Sequence, residues 1–166
     1  MSVIKQPVNY SNTSNIISVV SLLMLSALLV FYARKDEIVL LYFLSACMII
    51  WCSVAFYYAP RAISVDDEAL CVHRSISVKK ILLSEIISIR LCPPTMAEKR
   101  LLGSGGFFGY WGWFSEKDLG RYFAYYGKSS DCFLVTLKDG RRYMLGCEHP
   151  AEIVDFVRKN IGQNVA

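Results

Sequence analysis

The chain has 166 residues, enough for one modest domain and an appendage, and 54% of them are hydrophobic while only 19% are charged. That balance is too apolar for an ordinary soluble domain of this length. The formal net charge of +4 falls far short of the dense basic surface of a nucleic-acid-binding protein, so nucleic acid is not expected as a partner.

Two long uncharged stretches account for the apolar excess. They cover residues 16–33 and 38–59 and follow an N-terminal tail of residues 1–15. As helices rising about 1.5 Å per residue they would be roughly 27 and 33 Å long, and the hydrocarbon core of a bilayer is about 30 Å thick. Neither stretch has the polar face that a soluble helix needs, so both are predicted to be transmembrane helices.

The link between the two stretches, residues 34–37, has room only for a turn. The helices are therefore predicted to form an antiparallel hairpin with both chain ends on the same side. The distribution of basic residues near the membrane ends favours the cytoplasm for that side. The scattered cysteines agree, because they lack the close spacing of a disulfide scaffold. We therefore expect a multi-pass protein of the cytoplasmic membrane, with residues 60–166 in the cytoplasm.

Residues 60–166 alternate short β-branched segments with polar turns, which is typical of strands joined by hairpins. The clearest hairpin signal is Asp139-Gly140 between two alternating apolar segments. After Pro150 the apolar residues recur at helical spacing. About seven antiparallel strands in a small barrel or sandwich, covered by a C-terminal helix, would bury both apolar surfaces.

The segment GSGGFFGYWGWF, residues 103–114, packs five glycines and six aromatic residues into twelve positions. A dinucleotide fingerprint or a P-loop starting at Gly103 would need glycine at the position of Phe108. The glycines instead indicate a tightly bent strand or bulge. Two interpretations of the aromatic residues stay open: they pack inside the barrel, or they form a contact surface at the lipid headgroups or against another subunit.

The contact hypothesis combines aromatic residues of this segment with two basic residues of the later hairpin. The predicted surface consists of Phe108, Tyr110, Trp111, Trp113, Phe114, Arg141 and Arg142. Basic residues on a membrane-facing side would each add attraction to an anionic leaflet. Anionic lipid is therefore a possible partner of this surface.

No catalytic arrangement is visible in the sequence. It contains only two histidines and neither a G-x-S-x-G motif nor paired carboxylates. Each histidine stands two residues after a cysteine, in Cys71-x-His73 and Cys147-x-His149, a spacing that could provide zinc ligands. The simpler interpretation, which we favour, is that the cysteines are core residues and the histidines have surface or capping roles. We therefore expect a non-enzymatic protein that needs no metal or cofactor.

Several of these segments resemble bacterial PH-like domains. SVDDEALCVHR and ILLSEIISIR are similar to the start of such domains, and the stretch from RLLGSGGFFGYWGWF to TLKDGRRYMLGCEHPAEIVDFV is similar to a subfamily with a Gly/aromatic-rich core. The resemblance covers about residues 61–161, and two membrane helices often precede such a domain. It implies a PH-like barrel or sandwich with a C-terminal helix.

The resemblance leaves the ligand open, because the PH fold hosts phospholipid binding, peptide binding and self-association alike. The acidic turn Asp66-Asp67-Glu68 replaces the basic cluster of lipid-binding PH domains and argues against phosphoinositide binding. We expect an interaction module that contacts a partner protein, another copy of itself or the adjacent lipid surface. The alternative is a structural subunit of a larger membrane assembly, such as a transport or envelope complex, held together through small residues on its helices.

Overall fold

The structure is a computed structural model that describes residues 3–35, 37–95 and 98–163. Its N-terminal part contains two long helices, α1 (Asn12–Ala33) and α2 (Ile38–Tyr58). Both are long and apolar enough to cross a membrane, and almost none of their residues are fully buried within the chain. The helix α1 begins four residues before the predicted position 16, because the Ser11 hydroxyl caps it by accepting a hydrogen bond from the Ser14 amide.

The rest of the described chain forms two β-sheets, one more α-helix and two short 3₁₀ turns, Leu83–Glu85 and Ser129–Asp131. The first sheet has the order β1-β2-β3-β4 and the second the order β5-β9-β10-β8-β7-β6. The elements are β1 (Ile4–Pro7), β2 (Pro60–Val65), β3 (Ala69–Arg74), β4 (Val78–Leu82), β5 (Ile86–Leu91), β6 (Lys99–Gly106), β7 (Gly109–Glu116), β8 (Gly120–Tyr126), β9 (Cys132–Leu137), β10 (Arg142–Gly146) and α3 (Pro150–Gln163).

The two sheets and α3 enclose one apolar core. Its fully buried side chains come from both sheets and from one face of α3, among them Ile63, Leu70, Phe133, Leu145 and Ile153. The helix covers the opening between the sheets, as the amphipathic pattern after Pro150 predicts. This confirms the predicted PH-like sandwich with a C-terminal helix. The structure departs from the prediction in two respects: residues 60–163 hold nine described strands rather than about seven, and β8 pairs with β10 in parallel rather than antiparallel.

The N-terminal segment takes part in this sandwich. The strand β1 pairs antiparallel with β2, from Ile4 opposite Val65 to Pro7 opposite Ala62, and the side chain of Val8 is buried in the core. Residues predicted as a tail therefore supply an edge strand and the first turn of α1. Of the sequence predictions, Met1 and Ser2 of the tail, Asp36 of the turn, and residues 96–97 and 164–166 of the domain lie outside the described residues.

The sandwich has a helix end and a far end. The helix end is where α2 leads into β2 at Pro60, and it includes the β3–β4 turn and the tip of the β6–β7 hairpin. The far end includes the Asp66-Asp67-Glu68 turn and the turn at Asp139-Gly140. The strands run between these two ends, so a residue's position along its strand determines which end it occupies.

Candidate functional site at the junction of the helices and the sandwich

The tip of the β6–β7 hairpin is hydrogen-bonded to α1. The Ser14 hydroxyl donates to the carbonyl of Gly106 at 2.5 Å, and the Ser18 hydroxyl accepts from the amide of Phe108 at 2.9 Å. Ser14 is buried by this contact although it belongs to an otherwise exposed helix. The two serines therefore fix the hairpin to the first two turns of α1.

Phe108 occupies the tip in an uncommon backbone conformation. Its φ of 51° lies in the left-handed region, and it is the one non-glycine residue with positive φ among those described. Such a conformation is unfavourable for a bulky side chain. The bond from its amide to Ser18 helps to hold the strained tip in place.

Lower in the hairpin, two glycines face each other across the strand pair. Gly103 is opposite Gly112, and both have positive φ, 130° and 118°. A Cβ atom on Gly103 would lie 2.1 Å from the carbonyl oxygen of Trp111, and one on Gly112 would lie 2.2 Å from that of Leu102. The strands can bend this sharply only because both positions lack side chains. The glycines therefore shape a hairpin, as the bent-strand interpretation predicts.

Aromatic rings join the same hairpin to α2. Trp111 stacks on Tyr58, with ring centroids 5.3 Å apart and an interplanar angle of 13°. Nearer the tip, Phe107 packs against Trp51 with centroids 6.3 Å apart. Trp51 precedes Tyr58 by seven residues, so the hairpin extends about 10 Å along the helix.

The structure divides the predicted contact surface among three places. Phe108 and Trp111 lie at the junction with the helices, as described above. Arg141 and Arg142 lie at the far end, where Arg141 pairs with Asp139 and Arg142 donates to the carbonyl of Leu119. The seven residues therefore do not form one surface, because the β9–β10 turn and the hairpin tip are at opposite ends of the second sheet.

The aromatic residues of β7 are themselves split by strand alternation, which sends neighbouring side chains to opposite faces. Trp111 and Trp113 face α2, and Trp113 remains 36% exposed. Phe114 lies on the opposite face and is only 2% exposed, which corrects its prediction as a contact residue. Tyr110 lies on that face too, stacked on Tyr126 with centroids 4.7 Å apart.

A groove of about 610 Å³ separates the outer part of the hairpin from α2. Ile50 and Val54 of α2 form one wall, and Leu102 and Trp113 form the other. These four side chains are exposed, Leu102 the most at 72%. The apolar surface of α2 thus continues onto the hairpin without a polar boundary.

The face of the second sheet that carries Phe114 and Tyr126 is closed by a polar cluster. Glu98 accepts hydrogen bonds from the hydroxyls of Tyr122 and Tyr126, at 2.7 and 2.9 Å. Burial, followed by the bond to Glu98, raises the pKa of Tyr122 well above its usual range. Both tyrosines therefore stay protonated donors, and the cluster has a structural role.

The two Cys-x-His pairs do not meet. His73 shares a hydrogen bond of 2.7 Å with Ser64, and Cys147 is buried in the core, where burial raises its pKa to about 12. Within residues 3–35, 37–95 and 98–163, no group of three or more His, Cys, Asp or Glu side chains could hold a metal ion.

One feature of the junction is absent from the sequence prediction. The guanidinium of Arg74, at the end of β3, lies over the rings of Tyr57, Tyr58 and Tyr125, at 5.0, 5.7 and 5.9 Å from their centroids. Its Nη1 lies 3.4 Å from the hydroxyl of Tyr125. In the sequence, Arg74 is one residue of a His-Arg pair before a short turn, and the tyrosines come from distant segments. Nothing in the local sequence therefore indicates this cluster.

Comparisons with known proteins agree with this architecture. No curated protein and no solved structure matches the chain significantly. A family model described as "Bacterial PH domain" matches residues 61–161, which include the junction hairpin, both sheets apart from β1, and most of α3. The match covers more than half of the chain and coincides with the sandwich found in the structure, so this chain belongs to the bacterial PH domain family.

Proposed function

We propose that this protein is a membrane-anchored, non-enzymatic interaction module whose sandwich is held in one orientation against the lipid surface. In this proposal α1 and α2 cross the cytoplasmic membrane, and the sandwich lies on its cytoplasmic side. The observation that carries the proposal is the double attachment of the β6–β7 hairpin, through Ser14 and Ser18 to α1 and through Trp111 to α2.

This attachment supports a fixed orientation rather than a flexible tether. A domain linked only at Pro60 could turn about that linker, whereas hydrogen bonds and stacked rings on both helices oppose rotation. The hairpin contacts about 10 Å of α2, measured along the helix axis. If α2 spans the bilayer, this part of the helix lies in the headgroup region, where aromatic side chains are stable. Leu102 and Trp113 would then meet lipid beside the exposed face of α2.

Quenching by brominated lipid tests this orientation. Full-length protein with Trp113 as its single tryptophan (Trp51→Phe, Trp111→Phe) is placed in nanodiscs with or without dibrominated phosphatidylcholine. We expect strong quenching of Trp113. A variant that keeps only Trp51, in the helix, is the positive control, and Lys138→Trp without the native tryptophans reports on the far end.

If Trp51 is quenched and Trp113 is not, the hairpin does not face lipid and the proposed orientation is wrong. If the far-end tryptophan is also quenched, the sandwich lies on its side rather than on its helix end. A partner protein or a second copy covering the hairpin would leave Trp113 shielded in native membranes but quenched in nanodiscs that contain one purified chain.

A second candidate, a subunit of a larger membrane assembly, is favoured by one observation. The helices α1 and α2 separate enough to leave an apolar cavity of about 420 Å³ between Leu25, Leu28, Leu44, Met48 and Phe107. Inside a membrane such a space would hold an acyl chain or a side chain of another helix. Crosslinking from Leu28 in native membranes would favour the assembly if it captures one stoichiometric partner.

A further inference from the structure

Beside the β3–β4 turn at the helix end lie two arginines without a carboxylate partner. Arg61 follows the start of β2, Arg74 ends β3, and the turn of Ser75, Ile76 and Ser77 lies beside them. Both ion pairs found among the described residues lie elsewhere on the molecule. Two positive charges therefore flank the turn, and neither forms an ion pair with an acidic side chain of the described chain.

The environment of Arg74 makes this imbalance costly. Its Nε atom is buried and has no hydrogen-bond partner, and the same is true of the hydroxyl of Ser77. The three tyrosine rings around the guanidinium offer their π-faces, which attract a cation without neutralising it. Burial raises the pKa of Tyr125 to about 12, so its hydroxyl stays neutral and cannot act as the counterion. A partly buried charge without a counterion is unfavourable, so an anion from outside the chain would be stabilised beside it.

The neighbouring residues indicate where that anion would come from. Arg61 donates from its Nε to the hydroxyl of Ser75 at 3.2 Å, which directs a second guanidinium towards the same turn. Ile76, at the apex, is 68% exposed although it is apolar. Both arginines contact the end of α2, Arg61 over the ring of Phe56 and Arg74 over that of Tyr57. An apolar apex between them fits the boundary between acyl chains and headgroups.

We infer that the β3–β4 turn is a binding site for the phosphate of an anionic phospholipid in the adjacent leaflet, held by Arg61 and Arg74. The inference rests on the proposed membrane anchoring. A planar guanidinium can bind two phosphate oxygens at once, and Ser75 adds a hydroxyl donor. The acidic turn Asp66-Asp67-Glu68 is at the far end and does not oppose the lipid.

A direct test counts bound lipid on the full-length protein. Delipidated protein in non-ionic detergent is titrated with phosphatidylglycerol or with phosphatidylcholine of the same chains, and bound lipid is measured by native mass spectrometry. We expect phosphatidylglycerol to bind roughly fivefold to tenfold more tightly. Arg74→Gln should remove this preference, and Arg74→Lys, which keeps the charge but loses the planar fork, should retain part of it.

The matched control is Arg141→Gln. Arg141 is exposed in the turn at the far end, where it pairs with Asp139. Its loss should leave the lipid preference unchanged. If Arg74→Gln fails to fold, Arg61→Gln provides the test, because Arg61 is exposed and lies outside the apolar core.

Three results would overturn the inference. Phosphatidylglycerol and phosphatidylcholine could bind equally, or folded Arg61→Gln and Arg74→Gln proteins could both keep the preference. Alternatively, glycerol phosphate in solution could compete as well as the lipid does, which would assign the site to a soluble phosphate compound. None of these results contradicts the membrane-held module, since Trp113 quenching by brominated lipid in nanodiscs reports on that independently.

Discussion

Tyr58, the last residue of α2, stacks on Trp111 of β7 and thereby joins a long apolar helix to the sandwich. The same ring lies within 5.7 Å of the Arg74 guanidinium. One tyrosine thus takes part in both features of the junction, the hairpin attachment and the arginine turn.

A double-mutant cycle on Tyr58 and Trp111 should reveal direct coupling. Stacked aromatic pairs contribute about 1 kcal/mol beyond the burial of their area, so the effects of Tyr58→Leu and Trp111→Leu should fall short of additivity by about that amount. The stability of the two single variants and the double variant is measured by thermal unfolding in nanodiscs, monitored by near-UV circular dichroism. Pairing Tyr58→Leu with Trp113→Leu serves as the control, and equal coupling in both cycles would argue against a specific stack.

The facing glycines of the hairpin should not tolerate alanine. Gly103→Ala places a Cβ against the Trp111 carbonyl in addition to straining a positive φ, so we expect a loss of about 3 kcal/mol or more. Gly140→Ala is the matched comparison: its φ is 82° and nothing lies within 4 Å of the added atom, so about 1 kcal/mol should be lost. Similar melting temperatures for the two variants would mean that the strands can separate at Gly103.

Ser18→Ala should loosen the hairpin tip without unfolding the sandwich. The amide of Phe108, which is partly buried, loses its acceptor, so we expect a cost of about 1 kcal/mol, at the low end of the range for unsatisfied donors. Hydrogen exchange over residues 104–110 should accelerate, while β9 and β10 stay protected. Ser26→Ala is the control, since that hydroxyl bonds only to the Leu22 carbonyl within α1. Unchanged exchange at the tip would show that the aromatic contacts alone hold it.

The buried thiols should destabilise the fold at alkaline pH. Cys147 has an ordinary pKa of 9.0 that burial raises to about 12, so the unfolded chain releases this proton first. Its contribution to stability is complete below pH 9 and declines between about pH 9 and 12, by at most about 1.4 kcal/mol per pH unit. The melting temperature of Cys147→Ala should therefore fall less steeply from pH 8 to pH 10.5 than that of the parent. If the melting temperatures of parent and variant fall equally steeply with pH, the loss of stability at alkaline pH comes from other groups, such as Tyr125.

Thiol labelling tests which side of the membrane holds the sandwich. In spheroplasts, a membrane-impermeant maleimide should label Glu37→Cys, in the turn between the helices, and should reach Lys138→Cys only after permeabilisation. Both positions are exposed, so a difference between them reports on the membrane rather than on burial. The reverse pattern would place the sandwich outside the cytoplasm.

Features that depend on local residue order could be predicted from the sequence. The lengths of the two apolar helices, the Asp139-Gly140 turn and the face of α3 that meets the core follow from hydropathy, turn chemistry and periodicity, which act over a few residues. The glycines of the hairpin were likewise predictable as a tight bend, because their backbone freedom belongs to the residue itself.

Only the tertiary structure determined how these elements meet. The pairing of β1 with β2 joins residues about sixty positions apart, and no local rule selects that sheet edge. Strand alternation puts Trp113 and Phe114 on opposite faces, but what lies against each face, α2 for the first and the Glu98 cluster for the second, depends on the whole fold. The same assembly of distant segments surrounds Arg74 with three tyrosine rings and leaves its buried Nε atom without a hydrogen-bond partner.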